Sequence, residues 1–417
     1  MKDNMKNYIK GNNLNSQMRN LNSQIYKDGL NFLMNTYARL PVIFTRAKMQ
    51  FLWDADNNKY LDFIAGYGCL NVGHSNPFVI KSLKNQIDKI IQPSNVFFNV
   101  PQVKLAQKLC QISEFGSKVF FANSGTEAIE AAIKLARKYS KDKFSPNRYQ
   151  IISFKKSFHG RTLGALSATA QEEKQNIFQP LLEGFKYAEL NNIESVKKQI
   201  DQNTCAVLLE LIQGEGGINV AEYSFVKELE KICRQNNVLL IFDEVQTGFG
   251  RTGKMFAYQN YNVFPDILVV AKSLGGGMPI GAIISTDKVS SVFEPGSHGS
   301  TFGGNAASCA AGIAVIDYII KKNLPLRALK LGKYFFNELE KLKSKYPLIK
   351  EVRGMGLMVG VELSKPVAQE IVISALKDKI VINKVSPEIL RFLPPLIITK
   401  SNINFFIEWF SKKLKQY

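Results

Sequence analysis

Apolar runs of branched side chains that stop at a single charged residue mark the middle of this chain. Val238-Leu239-Leu240-Ile241-Phe242 ends at Asp243, and Ile267-Leu268-Val269-Val270-Ala271 ends at Lys272. Such unbroken runs predict strands covered on both faces in a parallel sheet. Lys118-Val119-Phe120-Phe121-Ala122 predicts a further strand, and Ser124-Gly125-Thr126-Glu127 opens a helical pattern that continues to about Tyr139. Helical and strand signals alternate from about Asn76 to Ser285, with a helix over Glu222 to Gln235 leading into the Asp243 strand. That alternation is the signature of a doubly wound α/β sheet.

Outside this stretch the pattern changes. Phe51-Leu52-Trp53-Asp54 through Lys59-Tyr60-Leu61-Asp62 alternates like a short hairpin, with Asn57-Asn58 near its turn. After Asn305 a long helical pattern leads to residues 352–360, which read as one strand of a second, smaller α+β domain. The first thirty residues, rich in Asn, Lys and Ser, predict a flexible extension or a short helix. The expected division is an extension over 1–30, a segment over 31–75 packing with the small domain, a large domain over 76–310 and the small domain over 311–417.

The 417 residues, 45% of them hydrophobic, suffice for a large core. A formal charge of +19 and an isoelectric point near 9.5 invite a nucleic-acid reading. The lysines are spread along the chain and the aromatics sit in apolar runs, so no concentrated footprint forms; no nucleic-acid partner is expected. Excess positive charge instead attracts anionic ligands. Cys69, Cys110, Cys205, Cys233 and Cys309 are odd in number and have no framework spacing, which suits free thiols in a reducing compartment. No membrane-length apolar stretch and no signal-peptide pattern open the chain, so a cytoplasmic protein with no membrane partner is expected. His74, His159 and His298 lie far apart with no Cys-x-x-Cys pair, and no metal site is expected.

The chemistry concentrates where predicted strands end. Ligands of open α/β sheets bind outside the carboxyl ends of the strands, and there this chain places an acid, Asp243, and an amine, Lys272. Taken alone, Asp243 reads equally as a turn cap. Ser124 and Glu127 have capping-box spacing, which leaves the Gly125 and Thr126 N–H groups free at a helix start, a cradle for phosphate. A competing pattern, Gly248-Phe249-Gly250-Arg251-Thr252-Gly253-Lys254-Met255, approaches a nucleotide-hydrolase phosphate loop. It fails because Met255 offers no hydroxyl to magnesium and because the loop trails the acidic strand instead of preceding it.

Six ordered blocks between about Leu52 and Ile398 then carry a resemblance. They are residues 123–128 (Asn-Ser-Gly-Thr-Glu-Ala), 158–162 (Phe-His-Gly-Arg-Thr), 213–217 (Gln-Gly-Glu-Gly-Gly), 243–248 (Asp-Glu-Val-Gln-Thr-Gly), 300–305 (Ser-Thr-Phe-Gly-Gly-Asn) and 391–395 (Arg-Phe-Leu-Pro-Pro). In these the chain resembles the class III pyridoxal-phosphate aminotransferases. The resemblance implies the fold type I architecture of pyridoxal-phosphate-dependent transferases, a large domain with a mostly parallel doubly wound sheet plus a smaller α+β domain. It also implies a homodimer with shared active sites.

By that resemblance, Lys272 holds the cofactor covalently and then shuttles a proton, and Asp243 pairs with the pyridine nitrogen. Phe158 stacks on the cofactor ring, Gln246 contacts its phenolic oxygen, and Gly125 and Thr126 bind its phosphate with Thr301 of the partner subunit. His159 is read as a packing or orienting residue. Arg391 and Arg161 clamp substrate carboxylates, Ser300 touches the substrate, and Glu215 pairs with Arg391 while a terminal-amine substrate is bound, then swings aside for glutamate. The implied reaction passes a terminal amino group to 2-oxoglutarate, giving glutamate. N-acetylornithine is the first donor implied, and ornithine, succinyl-diaminopimelate, an acylated lysine or 4-aminobutyrate are the alternatives. The chain departs from the usual pattern at Ser273, where relatives often have glycine, and at Ile129, a frequent asparagine. Phe32 is not the tyrosine that some ornithine enzymes use to grip substrate.

Overall fold

The structure, a computed structural model, describes residues 16–417. The part of the predicted extension over residues 1–15 lies outside the described residues, and from Ser16 the chain forms helix α1 (Ser16–Phe32). Three strands follow: β1 (Phe44–Lys48), β2 (Phe51–Asp54) and β3 (Lys59–Asp62). The β2–β3 pair is antiparallel, and Asn57 takes the left-handed conformation at its turn (φ 60°).

The central part runs α2 (Pro77–Ile87), α3 (Val100–Ser113), β4 (Lys118–Ala122), α4 (Gly125–Lys143), β5 (Gln150–Phe154), β6 (Phe185–Ala188), β7 (Thr204–Leu209), the short β8 (Ile212–Gln213) and β9 (Asn219–Val220), α5 (Tyr223–Gln235), β10 (Leu239–Asp243), β11 (Ile267–Val270) and β12 (Gly281–Ser285). Seven of these strands form one sheet in the order β4-β12-β11-β10-β7-β5-β6. All neighbours are parallel except β12, which runs antiparallel to both β11 and β4.

The apolar runs are buried on both faces, as their lack of alternation demands. Leu240, Phe242, Leu268 and Val270 enter one core cluster with Phe256 and Tyr258. Leu239, Ile241, Ile267 and Val269 point the other way, onto the alanine-rich face of α4, where Ala128, Ala131, Ala132 and Ala136 let the helix sit close to the sheet. The helix outlasts its apolar pattern by one turn because Lys138 pairs with Asp142 at 2.8 Å, and Lys141 and Lys143 complement the negative end of its dipole.

The carboxyl-terminal part packs α6 (Ala306–Lys321), α7 (Leu324–Lys345), β13 (Ile349–Met355), β14 (Met358–Leu363), α8 (Ala368–Lys377), β15 (Ile380–Val381), β16 (Asn383–Lys384), β17 (Ile389–Phe392) and α9 (Lys400–Leu414). Its sheet runs β13-β14-β17-β16, while β15 joins β3 in the four-stranded sheet β1-β2-β3-β15. The single strand expected over residues 352–360 is therefore a hairpin. Its reversal needs Gly356, whose φ of +59° and 2.4 Å approach of a built Cβ to the Arg251 carbonyl exclude a side chain.

Candidate active site

Three neighbouring parallel strands, β7, β10 and β11, each deliver one ionisable group to the carboxyl edge of the sheet: Glu210 just past β7, Asp243 as the last residue of β10, and Lys272 just past β11. Lys272 leaves its strand in the left-handed conformation (φ 44°), and among the described residues its amine has no hydrogen-bond partner. Burial holds this amine below the usual lysine range, and Arg391 adds to the effect against the opposing pull of Glu215, Cys69 and Asp243.

Asp243 is buried. Its Oδ1 accepts the Val245 N–H at 3.0 Å, and its Oδ2 lies 2.7 Å from His159 Nδ1. An ionised carboxylate only accepts, so this contact puts the imidazole proton on Nδ1. Among the described residues the buried Nε2 of His159 has no hydrogen-bond partner, and the His159 amide is fixed by Thr169 Oγ1 at 2.8 Å. The orienting role expected of His159 thus has a specific object, the Asp243 carboxylate.

Glu210 was not singled out by the sequence reading, although β7 is an apolar run ending in a charged residue like the two that were. Its Oε1 accepts the Phe158 N–H at 2.7 Å and its Oε2 the Gly214 N–H at 3.1 Å. Burial pushes this carboxyl up to about 7, with Asp243 adding to the rise and His159 and the two amides opposing it.

At the head of α4, Ser124 Oγ caps the Glu127 N–H at 3.3 Å, and Glu127 reaches back one residue further than the standard box, taking the Asn123 N–H at 2.9 Å. Thr162 donates to Glu130 Oε1 at 2.6 Å, so its oxygen must accept from the Thr126 hydroxyl, 2.9 Å away. Thr126 Oγ1 in turn accepts the Arg161 and Thr162 amides, both at 3.2 Å. The hydroxyl is consumed within the protein, which leaves the Gly125 and Thr126 amides as the donors this helix start offers to an anion.

Opposite the sheet edge, β17 carries Arg391, whose side chain is completely buried. Its Nη1 donates to Glu215 Oε1 at 2.5 Å, to the Gly214 carbonyl at 3.0 Å and to Gln246 Oε1 at 3.2 Å, its Nε reaches Asn383 Oδ1 at 3.4 Å, and among the described residues its buried Nη2 has no partner. The Tyr67 ring lies 5.4 Å from the guanidinium carbon. Burial works against the Glu215 charge, but Arg391, together with Lys272 and Gln246, outweighs it and holds that carboxyl below its usual range. Neither Tyr67 nor Asn383 has a sequence signal, because each meets Arg391 only through tertiary packing.

Arg161 is exposed, with its guanidinium 5.6 Å from the Phe158 ring. Ser300 Oγ accepts from the Asn123 amide at 3.2 Å and the Gly303 N–H at 3.0 Å. Thr301 is exposed, and its carbonyl is held by the Gln92 amide. The rejected nucleotide-loop pattern has a structural explanation, since Arg251 is buried and donates to the carbonyls of Leu357 at 2.9 Å and Pro394 at 2.6 Å.

These residues fit pyridoxal phosphate. A deprotonation-prone buried amine, a carboxylate oriented by a buried histidine and a helix start with free amides answer its aldehyde, its pyridine nitrogen and its phosphate. A built Cβ at Gly125 would come within 3.0 Å of Val245, which keeps that helix start narrow and its backbone open.

Comparison with known proteins agrees with this chemistry. The family model for aminotransferase class-III matches residues 33–414. An acetylornithine aminotransferase of Caldanaerobacter subterraneus subsp. tengcongensis is 50% identical over 373 residues, 89% of this chain and 94% of that protein. The crystal structure of the ornithine aminotransferase from Toxoplasma gondii ME49 aligns with a TM-score of 0.92 at 32% identity, covering 99% of this chain and 98% of that one. The acetylornithine aminotransferase from Elizabethkingia anophelis aligns with a TM-score of 0.86 at 32% identity, covering 95% and 99%. With its fold, its lysine and its carboxylate placed as described, the chain belongs to the class III aminotransferases and is a pyridoxal-phosphate-dependent transaminase.

Proposed function

We propose that this enzyme transfers the terminal amino group of N2-acetyl-L-ornithine to 2-oxoglutarate, giving N-acetylglutamate 5-semialdehyde and glutamate, as a step of arginine biosynthesis. The observation that carries the reading is the Glu215–Arg391 pair beside the half-buried Lys272. A donor presenting a terminal amine has no carboxylate on the reacting carbon, so an unmasked buried arginine would be left without an anion. Glu215 supplies that anion and vacates it when glutamate brings its own α-carboxylate. The names of relatives such as the Caldanaerobacter protein support the acylated donor.

Pyridoxal phosphate, when bound, supplies the electron sink for bond breaking at the amine-bearing carbon. Lys272 would hold the cofactor and, once freed, could move the proton at that carbon as base and then acid. Asp243, oriented by His159, would pair with the pyridine nitrogen. Phe158 would cover the ring, Gln246 would contact the phenolic oxygen, and the Gly125 and Thr126 amides would take the phosphate. Arg161, exposed and free to reach, takes the distal carboxylate of glutamate or the α-carboxylate of the donor, with Ser300 beside it.

A homodimer completes this site. Val96, Phe97, Phe98 and Val100 form a strongly exposed apolar segment, and Phe302 is exposed next to Thr301. Such a patch supports burial against a second copy, with Thr301 reaching the partner subunit's phosphate. Five free cysteines support work in the cytoplasm.

The test is a panel of amine donors with 2-oxoglutarate, ranked by kcat/KM. N-acetylornithine should lead. Leadership by free ornithine, the donor named for the Toxoplasma neighbour, would reassign the substrate without touching the transaminase chemistry. Borohydride should fix the cofactor on Lys272.

A further inference from the structure

Glu210 has two backbone partners that belong to different parts of the site. Phe158 lies on the loop after β5 and Gly214 on the turn after β8, and one buried carboxylate accepts both N–H groups, at 2.7 and 3.1 Å. Gly214 is held on its other side as well, because its carbonyl, in the peptide that leads to Glu215, accepts from Arg391 at 3.0 Å. A Cβ at Gly214 would land 2.2 Å from Gln246 Oε1, so the peptide is also wedged against the side chain that shares Arg391. The next residue is Glu215, whose own carboxylate is only part-buried.

We infer that Glu210 is a positioning residue that pins the Gly214 peptide to the Phe158 backbone, so that the Glu215 side chain swings on and off Arg391 while the turn that carries it stays still. This rests on the gate described under the proposed function. A gate residue on a loose turn would lose its carboxylate position as well as its contact, and two amide bonds to a buried carboxylate oppose that. The carboxylate that fixes the turn also fixes the backbone of the ring-covering Phe158, so the pocket's floor and its gate share one anchor.

The experiment uses the holoenzyme and two variants. Glu210→Gln keeps one acceptor oxygen and presents an NH2 group to the other amide donor. In this variant kcat/KM for the terminal-amine donor, taken relative to that for glutamate, should fall about tenfold, mostly through KM, and the visible circular dichroism of the bound cofactor should change. The double variant Glu210→Gln/Glu215→Ala should show a ratio no lower than Glu215→Ala alone, since both act through one device. An unchanged ratio in Glu210→Gln, or a double variant that falls by the product of the single effects, overturns the inference. Residue-resolved hydrogen exchange on the wild-type holoenzyme tests it without a variant. The Gly214 and Phe158 amides should exchange at least tenfold more slowly than that of Glu215, and equal rates at Gly214 and Glu215 would overturn it. Failure of the functional reading looks different: terminal-amine turnover is then absent from the wild type, whatever the exchange pattern.

Discussion

Glu215 Oε1 lies 2.5 Å from Arg391 Nη1, and among the described residues this is the one anionic contact of a guanidinium with no exposed surface. The other acceptors on Arg391, the Gly214 carbonyl, Gln246 and Asn383, are neutral. A buried cation left with neutral partners is costly, on the order of 3–5 kcal/mol when a charged partner is deleted outright. The pocket therefore needs an anion at this point in every half-reaction, from the protein or from the substrate.

Glu215→Ala follows directly. Turnover of a terminal-amine donor should fall at least about tenfold in kcat/KM, or about 1.4 kcal/mol. Glutamate, which brings its own carboxylate, should react at least as well as before. Single-turnover measurements of the two half-reactions separate the cases, and equal losses in both would mean that Glu215 does not gate the arginine.

Lys272→Met should stabilise the cofactor-free protein. The folded state holds the Lys272 amine below its ordinary value of 10.5, chiefly by burial. Between that depressed value and 10.5 the unfolded chain binds more protons than the folded one, so this lysine makes stability rise with pH across the window and costs stability below it. The methionine variant removes the cost. Its advantage in urea midpoint over the wild-type apoprotein should be largest at pH 7 and shrink toward pH 10.5; a constant advantage would show that packing, not charge, is responsible.

Arg251 ties the large sheet's loops to the carboxyl-terminal part of the chain through the Leu357 and Pro394 carbonyls, at 2.9 and 2.6 Å, and to the segment before α2 through Asn71 Oδ1 at 2.5 Å. Arg251→Met fills the space but leaves three buried acceptors without a donor. A loss on the order of 3 kcal/mol in unfolding free energy is expected, read from urea denaturation of the holoenzyme. A loss under about 1 kcal/mol would mean that water or rearrangement satisfies those acceptors.

The strands that carry Asp243 and Lys272 were legible because doubly buried β-structure leaves an uninterrupted apolar run, and the start of α4 was legible because its cap residues sit adjacent in sequence. The same run precedes Glu210, so by that rule its acid is as legible as Asp243, although it lies three residues before the family block that begins at Gln213. The contact of His159 with Asp243 spans 84 residues and leaves no local trace. The segment from Ala65 to Gly68, left-handed throughout with φ values of 45°, 59°, 61° and 82°, was illegible for another reason. Ala65 and Tyr67 are poor residues for that region, and Asp62 holds the start of the segment by accepting the Ile64 and Ala65 amides at 2.7 and 3.1 Å. The end of the β13 strand was misplaced because Met355, Leu357 and Met358 continue the apolar pattern straight through a turn that only Gly356 marks.

Gly160 sits behind the phosphate cradle with a φ of +145°, and a built Cβ would stand 2.2 Å from Thr126 Oγ1 and 2.6 Å from Thr126 Cβ. Thr126 cannot move aside freely, because its hydroxyl is tied to Thr162 and receives two amides. Gly160→Ala must therefore displace the Thr126 backbone, and with it one of the two amides at the helix start that, in the proposed reading, take the phosphate. Affinity of the apoprotein for pyridoxal phosphate should weaken at least about tenfold, the cost of more than about 1.4 kcal/mol at that contact. At saturating cofactor the amino-transfer rate should fall far less, since Lys272, Asp243 and Arg391 stand on other elements. Titration of the apoenzyme by the visible absorbance of the bound cofactor measures the first quantity and steady-state kinetics the second. A variant that binds cofactor as tightly as the wild type would show that Thr126 takes no part in holding the phosphate.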